Sequence, residues 1–132
     1  MNITTFINRT YKRFHIGEQF IRDHKDEINW NKINYSFTNF LDVYSRDNNY
    51  SWSRCKRSIN NTVGFRFIYT FGDIIPTEEL YEVFFYRYIS YSMKCFIREE
   101  LKKRNDISEI DYKIVDNTVE YYNKKKKEKY EG

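Results

Sequence analysis

The stretch from Thr77 to Arg104 runs for 28 residues without glycine or proline, and its middle reads YEVFFYRYISYSMKCF (Tyr81–Phe96). Thr77 suits a helix N-cap. Glu78 and Glu79 complement the positive end of a helix dipole, and Lys102, Lys103 and Arg104 the negative end. Spaced at about 100° per residue, Tyr81, Phe84, Phe85, Tyr88, Ile89, Tyr91, Cys95 and Phe96 fill one broad arc. Val83, Tyr86, Met93, Ile97 and Leu101 continue it, and only Arg87, Lys94 and Arg98 share a purely basic stripe. A helix that is apolar nearly all round is buried on more than one side. Two arrangements satisfy that. The helix lies between a sheet and other helices, or it offers an aromatic side to another protein. In the second case Arg87, Tyr91, Lys94 and Arg98 are the candidate partner-binding residues.

The material to cover such a helix lies before it. Residues 1–46 read as short helices, the third capped by Ser36 and carrying Phe37, Phe40, Leu41 and Tyr44 at i, i+3, i+4 and i+7. Residues 50–71 read as a β-hairpin, with arms Tyr50–Ile59 and Thr62–Phe71. Its loop is Asn60-Asn61, because Asn tolerates the positive φ of a two-residue turn. Trp52 then opposes Tyr69, Arg54 opposes Phe67, and Lys56 opposes Phe65. Ile110–Val115 alternates as a strand would, with Thr118–Tyr122 returning; Ile107, Ile110, Ile114 and Thr118 also fit a helical face, and strands are preferred. The expected fold is α+β: N-terminal short helices and antiparallel hairpins packed on one long central helix. Residues 1–122 form a single domain and 123–132 a basic, flexible tail.

The 132 residues include no alanine and one proline, while Asn, Ile, Lys, Tyr and Phe abound. Alanine is the best helix former, so nothing in folding requires its absence. AT-rich coding explains it, as in a phage, a large DNA virus or a low-GC bacterium. The segment FIRDHKDEINWNKI (Phe20–Ile33) resembles short repeats in uncharacterised proteins of large DNA viruses and low-GC phages. In those repeats an apolar-Ile-Arg start leads to a hydrophobic residue, Asn or Asp, Trp and Ile. Phe20, Ile21, Ile28, Trp30 and Ile33 hold the apolar positions here, and 14 of 132 residues are covered. The resemblance implies packed helices and a viral origin, and it transfers no active site.

No apolar run reaches the roughly 18 residues of a membrane span, and the N-terminus lacks the apolar centre of a signal peptide. A soluble protein of the host cytoplasm is expected. No Walker loop, HExxH, GxSxG or paired-cysteine motif is present. His15 and His24 stand apart from any thiol pair, and no metal or cofactor is expected. Cys55, among cations, is the thiol with the better case for a lowered pKa; an inert thiol is the simpler reading.

Binding has more support than catalysis. Tyr, Trp and Arg dominate interface hot spots, and 13 of the 132 residues are Tyr. The leading expectation is a phage- or virus-encoded protein that inhibits a host protein by occlusion. An anti-CRISPR-like inhibitor of a defence nuclease complex would be one form. The alternative is nucleic-acid binding by Trp52, Arg54, Lys56, Arg57 and Arg66 of the hairpin, together with Lys124, Lys125, Lys126 and Lys127. Val63–Phe71 partly resembles the RNP1 motif of RNA-recognition domains at Gly64, Phe65, Phe67 and Ile68. Val63, Arg66 and Thr70 depart from it. The hairpin face with Tyr50, Trp52, Phe65, Phe67, Tyr69 and Phe71 also suits a core covered by the long helix, with Arg54 and Lys56 reaching out at its edge.

Overall fold

A computed structural model describes residues 2–14, 17–35, 37, 59, 62–86 and 89–131. Among these residues the chain is all α, with no strand. The helices are α1 (Ile3–Phe14), α2 (Glu18–Asp23), α3 (Thr62–Phe71), α4 (Thr77–Phe84), α5 (Tyr91–Lys102) and α6 (Glu109–Glu131). Two 3₁₀ turns, Lys25–Glu27 and Trp30–Lys32, follow α2. The α+β expectation is therefore corrected at three places: the second hairpin arm, the single long helix, and the strands over 110–122.

The N-terminal spacing gives helix, turn and helical turn. Asn2 caps α1 through a 2.8 Å bond from the Thr5 amide to its side-chain oxygen. Phe20 stacks on His24, with ring centroids 4.6 Å apart, while Ile21, Ile28, Trp30 and Ile33 are buried. The helix expected from Ser36 lies outside the described residues, apart from Phe37, which is buried.

Thr62–Phe71, expected as a strand, is α3. Its aromatics alternate, but Gly64, Phe67, Ile68 and Phe71 also fall at i, i+3, i+4 and i+7, and these are its buried residues. A helix satisfies its own backbone, whereas a strand depends on a partner. The partner arm, 50–58, lies outside the described residues. Gly64 lets α3 approach the chain at Tyr35: a Cβ there would run into the Tyr35 carbonyl oxygen and crowd Ile59. Phe67 then sits within 4.8–6.4 Å, centroid to centroid, of Tyr11, Trp30, Tyr35, Phe37 and Phe71. This ring cluster is the centre of the N-terminal half.

The stretch 77–104 is two helices. α4 closes in a tight 3₁₀-type end, with the Phe85 amide on Glu82 O at 3.1 Å and the Tyr86 amide on Val83 O at 3.0 Å. α5 restarts at Ser90, whose Oγ accepts from the Met93 amide at 3.1 Å. The break solves the problem of an all-round apolar helix. Folded back on itself, the stretch buries Leu80, Val83 and Phe84 of α4 and Met93, Ile97 and Leu101 of α5, and α4 packs on α5. Thr77 does not cap with its side chain; its hydroxyl donates to Asp106 at 2.6 Å and accepts from Arg104 at 3.1 Å. This ties the end of α5 to the start of α4, so the two run antiparallel.

The region expected as strands and tail is one 23-residue helix, α6. Ser108 accepts from the Asp111 amide at 3.1 Å at its start. Val115 and Val119 form its buried seam against α5. After Val119 no described side chain of α6 is buried, yet the helix continues through the lysines.

Candidate functional site

The two described cations of the basic stripe, Lys94 and Arg98, turn inward. Lys94, on the second turn of α5, is buried. Its Nζ donates to the Phe84 carbonyl at 2.7 Å and lies 4.5 Å from the centre of the Phe84 ring and 5.5 Å from that of Tyr122. A cation at the last carbonyls of α4 meets the negative end of its dipole. Burial holds the Lys94 pKa below its ordinary value. Arg98, one turn on, bridges α5 to α6: its Nη1 reaches Glu120 at 2.9 Å and Asp116 at 3.2 Å. Arg87 lies outside the described residues. Two of the three cations expected to form an open line are thus committed to contacts within the chain.

Their neighbours carry the surface instead. At the turn after α4, Phe85 is 49% exposed and packs edge-on to Tyr81 and Phe84, at 5.1 and 4.9 Å. Tyr122, above Lys94, is 45% exposed. Half-buried Tyr91 opens α5, with the Lys126 Nζ 5.3 Å from its ring centre. Contacts run from Phe85 through Phe84 to Lys94 and Tyr122, while Tyr91 lies beside Lys126, one turn beyond Tyr122, and the lysine run continues along α6. Lys124, Lys125, Lys126 and Lys127 are all exposed. Lys125 lies 5.7 Å from the Tyr121 ring centre and 3.9 Å from Glu128.

Of the residues expected to contact nucleic acid, Trp52, Arg54, Lys56 and Arg57 lie outside the described residues. Arg66 is exposed on α3, a helix rather than a hairpin arm. Its charge acts on Tyr11, so it belongs to the N-terminal half.

Sequence reasoning missed Phe85 and Tyr122 as surface residues. The signal was Ser90, a good N-cap placed where an unbroken helix has no use for one. Elsewhere, Cys95 is a half-buried thiol, and no cluster of three metal-binding side chains occurs among the described residues. A depression of ≈ 340 Å³ beside α1 is lined by Asn2, Thr4, Asn8, Glu27, Asn29 and Lys32 among others. Several of these groups are already spent on one another, with Thr4 Oγ1 accepting from the Asn29 amide and Asn8 donating to Lys32 O. No helix of the described residues is long and apolar enough to cross a membrane. Comparison with protein-family models, curated proteins and solved structures gave no match.

Proposed function

We propose that this chain is a phage- or virus-encoded, non-enzymatic binding protein that inhibits a host protein by covering part of its surface, as anti-CRISPR inhibitors do. The aromatic rim beside Lys94 and Lys126 carries the reading. Phe85, Tyr91 and Tyr122 offer large rings at low conformational cost. Lys126 beside Tyr91 and the neighbouring lysines supply positive charge. The partner that fits is an acidic protein surface with an apolar centre. AT-driven composition and the short repeat resemblance support the viral origin. Host defence nuclease complexes are the first targets to assay, in the host cytoplasm.

The test pairs capture with inhibition. Host proteins retained by the wild-type chain are compared with those retained by Phe85→Ser/Tyr122→Ser and by Lys126→Glu, each checked for helicity. The expected result is one host protein, inhibited by the purified chain, whose capture falls about tenfold or more in the ring variant. Capture and inhibition unchanged in both variants would overturn the reading. A low-salt mobility shift with DNA or RNA that collapses as salt rises, with no protein target, would support nucleic-acid binding by the α6 lysines instead.

A further inference from the structure

The face of α6 turned away from α5 carries an exposed stripe of two isoleucines and a tyrosine, with Asn117 between Ile114 and Tyr121. Ile110, Ile114 and Tyr121 fall in one narrow arc opposite the buried Val115 and Val119, and they are 74%, 43% and 57% exposed. The helix is also polarised along its length. Its first half holds Glu109, Asp111, Asp116 and Glu120 against one lysine, Lys113; Asp116 and Glu120 are paired with Arg98, which leaves Glu109 and Asp111 for a partner. Its second half holds Lys124–Lys127 and Lys129 against Glu128 and Glu131.

We propose that a second copy of this chain docks on the stripe, with α6 against α6, antiparallel about a twofold axis. The charge pattern selects both the occupant and the direction. An antiparallel pair lays each acidic half on the lysine half of the other copy, whereas a parallel pair stacks like on like. With Ile114 of each copy against Tyr121 of the other, Asp111 comes opposite Lys125, and Glu109 opposite Lys127, of the second copy. Each pair lies on a single flank of the stripe, and a twofold antiparallel contact brings like flanks together. The overlap from 109 to 127 is about 27 Å long at the α-helical rise. Tyr122 and Lys126 face the α5 side through Lys94 and Tyr91, so the dimer leaves the aromatic rim open and does not depend on the function proposed for it.

Sedimentation or light scattering of the full chain across a concentration series tests this. A monomer–dimer equilibrium is expected, weakened by salt through the flanking pairs. Ile114→Lys weakens the dimer about 100-fold, because an apolar contact is lost twice over. Helicity is retained, since Ile114 lies outside the buried seam. Asp111→Lys or Lys125→Asp alone weakens it about fivefold, and the double variant Asp111→Lys/Lys125→Asp recovers wild-type affinity. A monomer at every concentration, a dimer indifferent to Ile114→Lys, or a double variant weaker than either single one would each overturn the proposal. So would a monomeric wild-type chain whose host-protein capture is lost in Ile114→Lys, because the stripe would then belong to a different protein.

Discussion

α3 and α6 are both helices where alternation suggested strands, but they are held in opposite ways. α3 is short and defined by its surroundings: Phe67 is ringed by five aromatics, and Gly64 lies against the Tyr35 backbone. α6 is long and touches the rest of the fold along one side, through Val115, Val119, the Arg98 clamp, Tyr122 on Lys94 and Lys126 on Tyr91, and it leaves its opposite face open. At 23 residues it exceeds the roughly 12–15 below which an isolated helix is marginal. The contrast separates a helix enclosed by its core from a helix held along one side that presents the other as a surface.

The sharpest way to break this contrast is Phe67→Ala. It empties the middle of the ring cluster and is expected to cost about 3–5 kcal/mol in a urea titration. Loss of α3 before α6, read by hydrogen exchange, would accompany it. A cost near that of a surface change would mean that the cluster does not hold α3. On the other side, Arg98→Ala removes the clamp on Asp116 and Glu120 and is expected to cost about 1 kcal/mol, less at high salt. A loss as large as that of Phe67→Ala would erase the distinction.

The smallest effect belongs to the link between α2 and the loop after α3. Arg22 grips Asp73 with both terminal nitrogens, at 2.8 and 3.1 Å. The hydrogen bonds from Arg22 hold the Asp73 carboxyl below its ordinary range. A depressed carboxylate stabilises the fold above its unfolded pKa of about 3.9 and loses that contribution as pH falls through the folded value. Asp73→Asn should therefore cost no more than about 1 kcal/mol at neutral pH, because the pair is partly exposed. The difference from wild type should vanish in strong acid. A gap that persists there would assign the effect to something other than the ion pair.

How far the sequence could be read follows the same division. That the N-terminal residues form short helical pieces was legible, because a turn of helix depends on spacing within a few residues. Thr62–Phe71 was not, because ten residues of alternating rings satisfy a period of two and a period of 3.6 together. Gly64 on the buried face was the one local clue. For the site, the shared stripe of Lys94 and Arg98 was legible from helical spacing. Its direction was not, since Phe84 O and the α6 carboxylates meet it only after the chain breaks at Ser90 and folds back.

By itself the sequence determined that the stretch from Thr77 to Arg104 needs apolar cover on more than one side, that Lys94 and Arg98 share a face, and that α6 carries acid first and lysine last. Those are properties of residue order, set by helical geometry and charge. Only the tertiary structure decided that the cover comes from folding that stretch in two, that Lys94 and Arg98 point inward, and that Phe85, Tyr122 and the Ile110–Tyr121 stripe face outward. Burial is a relation between distant segments. A periodic pattern names the faces of a helix, and the neighbours decide which of them meets water.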